Sequence, residues 1–210
     1  MQSFDRVTGV AAPLLEEDIN TDQIAPASAT FKPDYAEMLF ALRRKNTGGA
    51  EIPDFVLNRA PFRHARILVA RTNFGSGSSR ESAVWALMAF GIRVVVARSF
   101  ADIFRENCLK NGLLPISLDA ADTVSFEEAV VADDGASTCT VDLVAQTIAG
   151  PGPIAYHFSI APAERDALLR GLDDIGLTLE ALASIVDWEK QMTNKQPWLQ
   201  TIPNGQAVQR

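Results

Sequence analysis

Ser78, Ser79, Arg80 and Glu81 follow Gly75 and Gly77 in "NFGSGSSRES" (73–82). Hydroxyls beside a guanidinium suit two kinds of chemistry: holding an anion, or activating an oxygen as a base. Three named motifs fail here. A Walker loop needs Gly-Lys-Ser/Thr, a dinucleotide fingerprint needs a third glycine where Arg80 stands, and a nucleophile elbow needs Gly-x-Ser-x-Gly. What the stretch offers is an anion pocket. Two glycines allow positive φ and close backbone approach. A helix starting near Ser79 directs free N–H groups and its positive dipole end into the turn. Arg80 adds a planar cation shaped for a carboxylate, and the same field favours an ionised oxygen on Ser78. A second reading fits the same spacing. Ser78-x-x-Glu81 is a capping box, worth about 1 kcal/mol and no chemistry. The two are compatible, because a capping oxygen can also face a ligand.

Such a turn has to be held by the elements on either side of it. "ARILVA" (65–70) reads as an apolar strand, "SRESAVWALMAFG" (79–91) as a helix closed by Gly91, and "RVVVARS" (93–99) as a second buried strand. "FADIFRENCLKNG" (100–112) reads as a helix closed by Asn111-Gly112, followed by the strand "LLPISL". Helix-length crossovers between apolar strands predict parallel pairing, with ligands beyond the strands' carboxyl ends. Upstream, "DRVTGVAAPL" (5–14) reads as one short strand and "EEDINTDQIAPA" (16–27) as a polar loop. "PDYAEMLFALRRK" (33–45) reads as a helix and "NTGGAEIPD" (46–54) as a loop. From about 119 the Thr/Val alternation of "DTVSFEEAVVADDGASTCTVDLVAQTIAG" predicts short antiparallel strands. "PGPIAYHFSI" adds a strand, 161–172 and 177–191 read as helices, and 196–210 as an aperiodic, loose tail. The class is α/β, read as one domain over 1–195.

Composition narrows the function classes. A chain of 210 residues, 47% apolar and 21% charged, is long enough to bury a sizeable core. A net charge of −7 argues against a nucleic-acid partner, which needs a basic face. With no 18-residue apolar stretch and no signal-peptide pattern in "MQSFDRVTGVAAPL", no membrane span or export is expected. Cys108 and Cys139, far apart and outside any CxxC, predict a reduced cytoplasmic setting. With His64 and His157 they are too few and too scattered for a zinc or iron–sulfur site, so no metal is expected on this chain alone. Both histidines are expected to be structural and Cys108 a core thiol.

"NFGSGSSRE" together with "RVVVARSFADIFRENCLKNGLLPI" closely resembles the small subunits of 3-isopropylmalate dehydratases, within the aconitase family. "DINTDQIAPA" (18–27), "PDFVLN" (53–58) and "GLDDIGLTLE" (171–180) extend the resemblance from about residue 5 to 190. It implies a three-layer β/β/α fold like the aconitase swivelling domain. It also implies a heterodimer with a large subunit that carries a four-iron four-sulfur (4Fe–4S) cluster, with the active site between the chains. The implied reaction interconverts 2-isopropylmalate and 3-isopropylmalate by loss and readdition of water in leucine biosynthesis. The cluster's iron acts as Lewis acid on the departing hydroxyl. By the same resemblance Ser78 is the base and Arg80 steadies its alkoxide and a carboxylate of the small dicarboxylate substrate. Asp22 is an active-site acid, and Ser79, Gly77 and Thr21 bind substrate beside it. Thr21 and Asp22 also fit a plain turn.

Two departures from the family pattern bear on the substrate. Ser82 stands where many members carry histidine, and Arg43, Arg44 and Thr47 do not align with the family's Arg-Thr-Gly substrate loop. The small subunit of a 2-methylmalate or dimethylmalate dehydratase is therefore an alternative. A noncatalytic stabilising partner is another, against which the Ser78–Arg80 pair speaks.

Overall fold

Apolar runs such as "ILVA" and "VVVA" satisfy themselves only when buried on both faces, and every residue of both is buried. They are the two central strands of the first of two compact units, Met1–Gly171; Leu172–Arg210 is the second. The computed structural model describes residues 1–27, 34–77 and 79–200, without the side chains of Leu199 and Gln200.

In chain order the first unit runs β1 (Arg6–Gly9), β2 (Ala11–Pro13), α1 (Thr21–Ile24), α2 (Tyr35–Met38), α3 (Ala41–Arg44), β3 (Ile67–Ala70), α4 (Ser82–Phe90) and β4 (Val94–Ala97). It continues with α5 (Asp102–Asn111), β5 (Leu114–Ile116), α6 (Ala120–Asp133), β6 (Cys139–Asp142), β7 (Thr147–Ala149), β8 (Ala155–His157) and α7 (Pro162–Arg170). One sheet has the order β2-β3-β4-β5, all parallel; the other has the order β1-β6-β7-β8, all antiparallel. The period-two alternation of the parallel strands divides their side chains between two cores. Leu68, Ala70, Val95 and Ala97 pack with Ile24, Val84, Leu87, Phe104 and Cys108 on the helical side. Ile67, Val69, Val94 and Val96 pack with Val7, Val141, Ile148 and Tyr156 of the other sheet, and with Phe126 and Val130 of α6. The result is sheet on sheet on helix, the expected β/β/α arrangement.

Several elements differ from the expectation. The single strand at 5–14 is two, β1 and β2, which serve different sheets; the chain changes layer between Gly9 and Ala11. The helix at 33–45 is broken by Phe40, buried with a left-handed backbone (φ 49°), into two single turns. Residues 28–33 lie outside the described residues. The predicted strands from 119 begin instead as α6. Its buried positions Thr123, Phe126, Glu127 and Val130 keep a helical spacing that the Thr/Val alternation masked. Asp119 caps α6 by accepting from Asp122 N (3.0 Å), and only 139–149 holds strands. The second unit contains α8 (Asp174–Glu180) and α9 (Leu182–Lys195), neither with a buried residue. It starts at Leu172, well before the expected boundary at 195; most of the expected tail, 201–210, lies outside the described residues.

Candidate active site

Beyond the carboxyl ends of β2, β3 and β4 the chain leaves regular structure, yet the three loops stay paired. Leu14 N bonds Val69 O (2.8 Å), Arg71 N bonds Glu16 O (3.1 Å), Asp18 N bonds Thr72 O (2.9 Å), Gly75 N bonds Ile19 O (2.7 Å) and Thr21 N bonds Ser76 O (2.9 Å). On the other side Phe74 N bonds Ser99 O (3.0 Å) and Ala101 N bonds Phe74 O (3.0 Å). The Gly-Ser turn is thus the middle of three loops carrying the parallel pairing past the sheet edge. That is where an open α/β sheet opens its ligand crevice.

Two glycines shape it for different reasons. Both are left-handed, at φ 80° for Gly75 and 94° for Gly77. A Cβ on Gly75 would lie 2.1 Å from Phe104 Cγ, so α5 packs directly on the turn's backbone. At Gly77 the nearest atoms would be Asn20 Cβ at 3.5 Å and the Thr21 hydroxyl at 3.8 Å, which leaves room. Thr21 itself is buried beneath the turn (1% exposed).

The loop after β2 holds itself through a capping box where only a polar loop was expected. Asn20 Oδ1 accepts from Gln23 N (2.8 Å) while Gln23 Oε1 accepts from Asn20 N (2.9 Å). The signal is present in "NTDQ". This box starts α1 at Thr21 and turns the Asp22 carboxylate toward the neighbouring loop, where it meets Arg80 Nη1 at 2.6 Å. Both partners are solvent-exposed, so the pair contributes little to stability. Its effect is to orient the guanidinium, which has further donors to offer an anion.

The other expected box, Ser78-x-x-Glu81, does not stand at the start of α4. α4 begins at Ser82, not near Ser79, and Glu81 occupies the N-cap position with no side-chain bond to the helix. Glu81 Oε1 instead accepts from Asn111 Nδ2 (3.1 Å). Ser78 lies outside the described residues. Ser79 is exposed, and its carbonyl faces Asn107 Nδ2 at 3.5 Å. Of the sequence-derived candidates, Thr21, Asp22, Gly77, Ser79 and Arg80 therefore share one loop cluster.

The arginines of "LRRK" are bound into the fold. Arg44 is buried, donating to Asn58 Oδ1 (3.2 Å) and to the carbonyls of Ala36 (3.1 Å) and Leu39 (3.3 Å), and burial lowers its pKa. Arg43 Nη2 bonds Glu16 Oε1 (2.5 Å). The cysteines do not fit a metal cluster. Cys108 lies in the helical-side core and Cys139 in the core between the sheets. Burial pushes the Cys108 thiol far above its ordinary range and Cys139 up to about 12, whereas a ligand must be a thiolate. Among the described residues no group of three or more His, Cys, Asp and Glu could hold a metal. His64 and His157, expected to be structural, are both exposed.

The model of the aconitase C-terminal domain matches residues 1–121. The model of the C-terminal domain of the 3-isopropylmalate dehydratase small subunit matches 174–202. The 3-isopropylmalate dehydratase small subunit of Rhodospirillum centenum is 48% identical over 202 residues, 94% of this chain and 98% of that protein. The chain belongs to the 3-isopropylmalate dehydratase small-subunit family. Its relative of the same name in Brucella anthropi is 48% identical over 94% of this chain and the whole of that protein. The one in Cereibacter sphaeroides is 46% identical over 205 residues, 95% of this chain and the whole of that protein. The crystal structure of a 3-isopropylmalate dehydratase from Methanocaldococcus jannaschii superposes with a TM-score of 0.60 at 26% identity, covering 87% of this chain and 99% of that one. None of these relatives carries a 2-methylmalate or dimethylmalate name.

Proposed function

We propose that this chain is the small subunit of a hydro-lyase that interconverts 2-isopropylmalate and 3-isopropylmalate and is active only with its large subunit in the cytoplasm. In this reading Ser78, as alkoxide, takes the proton from the carbon beside a substrate carboxylate. The electron pair left behind forms the C=C bond as hydroxide departs from the adjacent carbon. Readdition of water in the opposite sense gives the isomer. Arg80 binds the carboxylate and steadies the alkoxide, and Asp22 holds the guanidinium at the required angle. Ser79 and the Gly77 backbone bind the substrate beside it, and Thr21, buried beneath the turn, acts through them. The two cysteines' separate burial supports placing the 4Fe–4S cluster on the large subunit, where it would supply a Lewis acid for the departing hydroxyl.

The Asp22–Arg80 contact at 2.6 Å carries the proposal, because it joins two sequence elements far apart in the chain. The test is reconstitution with the large subunit and an assay of 3-isopropylmalate isomerisation. Arg80→Lys, which keeps the charge and loses the planar fork, is expected to lower kcat/KM by about 10²-fold, in line with the loss of a transition-state donor. Wild-type turnover by that variant would contradict the assignment of Arg80.

A further inference from the structure

Glu81 belongs to the motif, yet the mechanism proposed above gives it no role, and α4 starts too late for a cap at Ser78. Its carboxylate is held by Asn111, whose own amide is fixed on every side. Asn111 Nδ2 donates to Glu81 Oε1 (3.1 Å) and to the Asn107 carbonyl (2.9 Å), and its Oδ1 accepts from Trp85 Nε1 (3.0 Å). The Trp85 ring in turn meets Tyr35 edge-on at 5.4 Å, tying α2 to the first turn of α4. One turn earlier on α5, Asn107 Nδ2 faces the Ser79 carbonyl at 3.5 Å. Two asparagines of α5 therefore flank Arg80, in a stretch that belongs to no helix or strand. Glu81 is the joint of that stretch to α4, its carbonyl accepting from Val84 N (2.9 Å) and Trp85 N (3.1 Å).

Helix termination does not account for these bonds. The left-handed residue that closes α5 is Gly112 (φ 86°), and closure asks nothing of the Asn111 amide. What the position needs is a donor toward a carboxylate and an acceptor toward an indole at once. Asparagine supplies both; aspartate serves only the indole and repels Glu81.

We infer that Asn111 is a positioning residue: by holding Glu81 it fixes the joint from which Arg80 is presented to substrate. This rests on the roles proposed above for Ser78 and Arg80. Displacements of about 1 Å at a reacting group cost on the order of 10²-fold in rate.

Steady-state kinetics of the reconstituted pair tests it, with the thermal midpoint of each variant recorded. Asn111→Asp and Glu81→Ala are each expected to lower kcat by about 10- to 100-fold and to change KM by less than about threefold. Glu81→Gln, whose carbonyl still accepts from Asn111, is expected to keep near wild-type kcat. Asn111→Asp combined with Glu81→Gln is expected to recover most of the loss, because the glutamine amide now donates to the aspartate. Should Asn111→Asp fail to fold, the contrast between Glu81→Ala and Glu81→Gln reads the same contact. Unchanged kcat in both single variants overturns the inference, as does a Glu81→Gln enzyme as slow as Glu81→Ala, which would make Glu81 a proton carrier. Ser78→Ala is assayed in parallel. Wild-type activity in that variant overturns the serine-base reading itself. An inactive Ser78→Ala beside fully active Asn111→Asp and Glu81→Ala overturns only the positioning role.

Discussion

Gly75 and Gly77 share a left-handed backbone and differ in what a side chain would meet there. Gly75→Ala combines left-handed strain with a collision against Phe104, an expected loss of about 2–5 kcal/mol. Gly77→Ala has space and suffers the strain alone, about 1–2 kcal/mol. Urea midpoints of the two variants measure the difference, and equal losses would mean that Phe104 yields to the new methyl. The sequence made both glycines legible as turn residues, but not which one packs against α5, because that contact joins residues far apart in the chain. The Asp22–Arg80 pairing was legible only as two motif positions in a family resemblance. Glu81 was misread for a local reason. Ser-x-x-Glu is a capping pattern wherever a helix starts at that serine, and here α4 starts later.

At the scale of elements, the site is three loops knitted past a parallel sheet, and α1 is the most economical place to loosen it. Asn20→Ala removes one half of the capping box, an expected loss of about 1 kcal/mol by chemical denaturation. Activity is expected to fall by more than the unfolded fraction accounts for, because Asp22 sits in the first turn of the helix that Asn20 starts. A variant with full activity would show that Arg80 needs no support from this loop. The strands near 65–70 and 93–99 were legible because runs of Leu, Ile and Val flanked by helix-length segments have few other uses. β1 and β2 were not separable, since which sheet a strand joins is decided by partners such as β6, remote in sequence. α6 escaped because Thr123, Val124, Val130 and Val131 favour strands locally while Phe126 and Val130 are drawn to the core at helical spacing.

The whole molecule divides at Gly171–Leu172, and the two family models fall one on each side of that point. Both cores lie within Met1–Gly171, so a fragment of residues 1–171 is expected to unfold cooperatively by itself. A peptide of 172–210 is expected to show little helix by circular dichroism, because α8 and α9 bury nothing and isolated helices of this length are marginal. A helical peptide or a fragment 1–171 without a cooperative transition would contradict this division. The boundary was hidden from composition, since the single Gly171 reads as the close of α7 and no run of glycine or proline marks a linker there. On the function proposed above, what the assembled pair does depends above all on one oxygen. Reconstituted with the large subunit, Ser78→Ala is expected to keep its partner and its fold while kcat drops at least about 10³-fold, as befits loss of the base that breaks the C–H bond. A drop of less than about tenfold, the size of a lost helix cap, would contradict the account.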